Sequence, residues 1–163
     1  MISPLNPSSQ GFSAFRRKVL GAMLASALLP GSTLAKTNTS GSHNSPAMTI
    51  ELTFNGHRMI ARLHDNPTAR ELYAMLPLEL SIDSYGNNEK IAYLPRKLTE
   101  EGSGPFGNEA PGDIGYFAPW GNLAFYHGGY RWSEGLIRLG RIEGDIRPLL
   151  TPGKFRLEIR RFP

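Results

Sequence analysis

Thr49-Ile50-Glu51-Leu52-Thr53-Phe54-Asn55-Gly56-His57-Arg58-Met59-Ile60-Ala61-Arg62-Leu63 is the stretch that decides the fold. Ile50, Leu52 and Phe54 alternate with Thr49, Glu51 and Thr53, and a period of two puts successive side chains on opposite faces of a half-buried strand. Asn55-Gly56 supplies the two residues that accept positive φ in a tight hairpin turn. Met59, Ala61 and Leu63 then continue the apolar face on a second strand.

The same reading extends toward the C-terminus. Asn66-Pro67-Thr68 offers a capping side chain followed by proline at the first helical position, and Leu72, Met75 and Leu76 share a face before Pro77, so one helix of two to three turns is expected. Leu78, Leu80 and Ile82 alternate with Glu79, Ser81 and Asp83. Further short apolar runs lie at 91–94, 114–118, 123–126, 136–142 and 155–159, separated by Gly, Pro and Asn, with a second helical turn expected within 145–150. About eight strands in so short a span predict a mainly β domain over residues 48–163, an eight-stranded barrel with one or two short helices. Closure removes the unpaired edges that an open sheet would expose.

The residues before this domain read differently. Arg16-Arg17-Lys18 precede the apolar run 19–29 and the small-residue stretch Thr33-Leu34-Ala35, the order of an export signal. The run is too short to span a bilayer, which takes roughly 20 residues, so the membrane is expected to be met only transiently during export. The arginine pair resembles a twin-arginine signal. Residues 1–35 are therefore expected to be a cleavable signal peptide and residues 36–47, polar and without a buriable side chain, a flexible linker. A soluble periplasmic protein is the expected product.

Charge supports no nucleic-acid partner once it is partitioned. The 163-residue chain carries a formal +4, but Arg16, Arg17 and Lys18 supply three of those charges, leaving 15 basic against 14 acidic residues after position 35. There is no cysteine, which excludes disulfides, thiolate metal sites, cysteine nucleophiles and a lipid-anchored cleavage site.

Four segments together carry a family resemblance: Asp65-Asn66-Pro67-Thr68-Ala69-Arg70; Glu89-Lys90-Ile91-Ala92-Tyr93-Leu94-Pro95-Arg96-Lys97-Leu98; residues 112–124, Gly-Asp-Ile-Gly-Tyr-Phe-Ala-Pro-Trp-Gly-Asn-Leu-Ala; and Leu139-Gly140-Arg141-Ile142-Glu143. The region from Met48 to Ile159 resembles small bacterial cyclophilin-like domains. The resemblance implies a closed eight-stranded barrel with a shallow surface groove, the scaffold on which cyclophilins isomerise prolyl bonds. True cyclophilins also carry a Phe-His-Arg-type segment and a nearby glutamine. No such segment occurs here, and the only glutamine is Gln10.

No catalytic or cofactor motif assembles. Gly102-Ser103-Gly104-Pro105-Phe106-Gly107 has the spelling of a dinucleotide loop but follows an acidic turn and precedes Pro111, with no helix to face a pyrophosphate. His57, His64 and His127 lack metal-ligand spacing, and Ser84, Ser103 and Ser133 lack a nucleophile elbow. No cofactor or metal is assigned.

Aromatic and arginine density between Tyr93 and Arg141 is the remaining signal. So many rings cannot all enter a small barrel, because alternate positions face outward. Tyr93, Arg96, Tyr116, Trp120, Asn122, Tyr126 and Arg141 are the candidate groove residues. The expected function is a non-catalytic module binding a peptide or small molecule. The alternative is a prolyl isomerase or folding helper in which Arg96 or Arg141 hydrogen-bonds the amide.

Overall fold

The computed structural model describes residues 47–163, so the signal-like segment and almost all of the linker lie outside the described residues. Eight strands, β1 (Thr49–Phe54), β2 (His57–Leu63), β3 (Leu78–Tyr85), β4 (Glu89–Tyr93), β5 (Asp113–Phe117), β6 (Asn122–Tyr126), β7 (Leu136–Glu143) and β8 (Phe155–Arg161), are joined by one helix, α1 (Pro67–Ala74), and a 3-10 turn at Arg147–Leu150. They close antiparallel in the order β1-β2-β7-β5-β6-β4-β3-β8.

The first hairpin has the turn its sequence demands. Asn55 and Gly56 take φ of 49° and 74°, and Phe54 pairs with His57 across the turn. Ile50, Leu52 and Phe54 are buried together with Met59, Ala61 and Leu63, which sets the inward face for the whole barrel. Each of these side chains other than Ala61 contributes roughly 1.5–3 kcal/mol when fully buried. The helix starts where Asn66 Oδ1 accepts the Ala69 N–H at 2.8 Å, with Pro67 at its first turn, and Leu72 and Leu76 close one end of the core.

One irregularity shapes the outer face. A bulge between β5 and β7 lets Ile114 pair with Gly140 while Gly115 pairs with Arg138 and Asp113 with Arg141. In a regular strand, residues three apart lie on opposite faces; the extra residue brings Arg138 and Arg141 to the same face. At Gly140, β2 comes so close that a Cβ would lie 2.3 Å from the Arg62 carbonyl oxygen, and only glycine fits.

Inside the barrel one side chain breaks the apolar rule. Lys90 on β4 is fully buried, and its Nζ donates to Ser84 Oγ at 3.0 Å and to the Gly153 carbonyl at 3.2 Å, with the Phe155 ring 5.5 Å away. Burial pulls its pKa below the ordinary lysine value, and Asp83 opposes this.

A groove on the outer face of β4 and β6

Strand alternation separates two sets of residues on β6. Leu123 and Phe125 enter the core, whereas Asn122, Ala124 and Tyr126 face outward, opposite Tyr93, Ile91 and Glu89 of β4. Tyr130 and Trp132 from the segment after β6, Phe106 from the loop before β5 and Phe117 at the end of β5 pack on Ala124, Tyr126 and Leu136 as a second apolar layer over part of this face. Where that layer stops, a groove of about 240 Å³ remains, with Ile91 and Ala124 between Tyr85, Trp120, Phe117 and Tyr126, and with Glu89, Asn122 and Ser133 as its polar groups.

Trp120 stands at the β5–β6 turn, half exposed, held edge-on against Tyr85 and Phe117 with ring centroids 5.5 Å and 5.6 Å away. Asn122 is buried. Its amide nitrogen donates to the Leu123 carbonyl at 3.1 Å, but among the described residues its Oδ1 is the one buried side-chain polar atom without a hydrogen-bond partner. Leaving such an acceptor unsatisfied costs on the order of 1–3 kcal/mol. At the other end Glu89 is half-buried; burial raises its carboxyl pKa, against the opposing hydrogen bond from Tyr126. Burial and the adjacent Glu89 carboxyl push the Tyr126 phenol far above its ordinary value.

The other candidate residues are distributed around this groove or away from it. Tyr93 is exposed and lines an adjoining hollow of about 280 Å³ that shares Tyr85 and Ile91 with the groove. Tyr116 faces the core, fully buried, where its hydroxyl accepts the Leu98 N–H at 3.0 Å; its β5 position is inward, so it forms no groove wall. Arg96 is turned toward α1, ion-paired with Glu71, whose other oxygen accepts the Thr99 N–H at 2.5 Å. Arg141 lies on β7 and donates from Nε to Asp113 at 2.7 Å. Trp120, Asn122 and Tyr126 are therefore the candidate residues brought together. Tyr85 and Glu89 join them unforeseen; strand alternation from Tyr93 back to Glu89, and pairing of Glu89 with both Tyr85 and Tyr126, is the signal that could have found them.

Behind the groove lies a charged cluster. Asp113 is buried and accepts from Arg141, from Tyr130 Oη at 2.7 Å and from the Ala110 N–H at 3.0 Å, with Arg138 3.5 Å away. Burial raises its pKa, but these hydrogen bonds outweigh that and hold the carboxyl below its ordinary value. Larger hollows exist elsewhere with their arginine side chains already engaged. One of about 750 Å³ beside Leu76, Pro77 and Leu78 has Arg160 paired to Glu158 and Arg161 donating to the Tyr73 carbonyl. Another of about 470 Å³ is bordered by the loop 102–108, whose Gly107 and Asn108 carbonyls accept from Arg138. That loop leads into β5, not a helix, so the dinucleotide-like spelling lacks the helix N-terminus a pyrophosphate needs.

The sequence profile of the cyclophilin-like family matches residues 52–160, from β1 through β8. The chain belongs to the cyclophilin-like family. Its barrel is also similar to the solution structure of a hypothetical protein from Archaeoglobus fulgidus, at 17% identity and a TM-score of 0.58, covering 71% of this chain and 95% of that one. No curated protein matches the sequence. At that identity the likeness speaks for the fold alone, and the activity of this cyclophilin-like domain has to be argued from its groove.

Proposed function

We propose that this cyclophilin-like domain is a non-catalytic binding module that holds an extended peptide in the groove between Trp120 and Tyr126. The unpartnered Oδ1 of Asn122 carries the reading: it is closed off beneath the groove surface, and a turn of the side chain toward the groove would let a peptide N–H supply the hydrogen bond that the fold withholds. Ile91 and Ala124 give the apolar contact, while Trp120 and Tyr85 form a rigid aromatic rim of the kind that dominates binding energy. Continuity with the hollow at Tyr93 favours an elongated occupant over a compact one. The guanidinium groups of Arg96 and Arg141, which an isomerase reading would place on the substrate amide, are engaged with Glu71 and Asp113 and do not line the groove.

The test is a titration with the capped neutral peptide acetyl-Gly-citrulline-Gly-amide, followed at the Trp120 indole N–H resonance. Saturable movement of that resonance, abolished by Asn122→Leu, is the expected result. An unmoved resonance, or binding indifferent to Asn122→Leu, would overturn the reading.

The order of charged, apolar and small residues in 1–35 supports export, and we propose the periplasm as the place where this groove meets its ligand. Replacing Arg16 and Arg17 together by lysine should leave the unprocessed chain in the cytoplasmic fraction. Unchanged appearance in the periplasmic fraction would sink the twin-arginine route.

A further inference from the structure

The two polar ends of the groove differ in sign preference. Asn122 pairs with Tyr93 and Tyr126 with Glu89, four residues along β4, so at about 3.4 Å per residue and one strand spacing across, the Asn122 and Glu89 backbones are separated by about 14 Å. A single small group cannot reach both. An extended peptide can, with a main-chain N–H at Asn122 and a side chain carried toward Glu89.

None of the residues lining the groove is basic. Lys90, the immediate neighbour of Glu89, points into the barrel and is engaged with Ser84 and Gly153, so it does not neutralise the Glu89 carboxyl from the groove side. The groove end thus presents a half-buried carboxyl between Tyr85 on β3 and Tyr126 on β6, one face of the Tyr126 ring being covered by Tyr130. A carboxylate attracts a cation, and the exposed Tyr85 ring can add cation–π attraction, more for a planar guanidinium than for a compact ammonium.

Resting on the peptide-binding reading, we infer that the groove selects a basic peptide, one that places an arginine side chain between Tyr85 and Tyr126 against Glu89 while its backbone reaches Asn122. The ion pair would be half-shielded from solvent, where charge matters more than at a fully exposed site.

Arginine and citrulline have nearly the same shape and differ in charge, which makes the test direct. Acetyl-Gly-Arg-Gly-amide, its citrulline counterpart and its glutamate counterpart are titrated into the protein at low salt and followed at the Trp120 indole resonance. The arginine peptide is expected to bind about tenfold more tightly than the citrulline peptide, and the glutamate peptide more weakly than either. Glu89→Gln should erase the arginine preference, so that the arginine and citrulline peptides bind the variant equally; a preference that survives would overturn the assignment to Glu89. Equal affinity for arginine and citrulline peptides would overturn the charge selection and leave the groove reading standing; failure of all three peptides to bind would overturn the groove reading itself. Agmatine, a free guanidinium without a peptide backbone, should bind more weakly than the arginine peptide, and equal or tighter binding would overturn the peptide as the occupant.

Discussion

Tyr130 lies flat on Tyr126, ring centroids 3.6 Å apart and planes within 5°, while its hydroxyl donates to Asp113 at 2.7 Å. One side chain thereby joins a wall of the groove to the buried charge cluster on β5 and β7. Tyr130→Phe keeps the stack and removes the hydrogen bond, and should cost about 1–2 kcal/mol in urea unfolding. Tyr130→Ala removes both and should cost more, with a change in the Tyr126 environment visible by near-ultraviolet circular dichroism.

Asp113 is the counter-charge for Arg138 and Arg141, so Asp113→Ala should be among the most damaging single changes, at about 3 kcal/mol or more. Its folded pKa lies below the unfolded value, so its stabilisation is present above about pH 4, the unfolded aspartate range, and is lost as pH falls from there through the folded value. Subtracting the unfolding free energies of Asp113→Asn from those of the parent, pH by pH, should show a difference that shrinks only in that acid window.

Lys90 has a proton balance of the same sign, in the alkaline range instead of the acid one. Its folded pKa is lowered by burial, so between that value and the ordinary lysine value near 10.5 the unfolded chain binds more protons and stability gains with rising pH. The difference in unfolding free energy between the parent and Lys90→Met should therefore move in favour of the parent as pH rises toward about 10. A pH-independent difference would show that the lysine ends its burial within reach of water.

At Gly140 the constraint is steric. Gly140→Ala places a methyl carbon against the Arg62 carbonyl and the Leu63 Cα of β2, backbone atoms that cannot rotate away. The β2–β7 seam must open, and the expected loss is about 3 kcal/mol or more, read as a lowered melting temperature with early hydrogen exchange along β2.

For Glu89 the pKa is raised by burial, so its negative charge disappears at higher pH than an ordinary glutamate's. The titratable groups around it are Tyr126 and Tyr85 on the paired strands and His127 beyond the end of β6. Arginine-peptide affinity should fall as pH is lowered through the raised Glu89 value, while citrulline-peptide affinity stays level. A parallel decline of both would assign the effect to another group.

The barrel was legible because its signals are local. The Ile50 to Phe54 alternation, Asn55-Gly56 and the Asn66-Pro67 cap each act within a few residues, and the eight strands, α1 and the turn at Arg147–Leu150 fall where those signals place them. The groove was legible only in part. Trp120, Asn122 and Tyr126 come together, but Tyr116 is on the inward side of β5, and Arg96 is drawn to Glu71 across a separation of 25 residues.

Composition and periodicity by themselves determined that the chain lacks cysteine and that the region from residue 48 onward is mainly β with tight turns, because backbone preferences and apolar alternation are properties of neighbouring residues. Only the tertiary structure decided which aromatic rings form a surface, which arginines are already neutralised, and that Asn122 keeps a buried acceptor unpartnered beneath the groove. Those outcomes depend on strand order, the β5–β7 bulge and partners distant in the chain, and no local pattern encodes which charge will meet which.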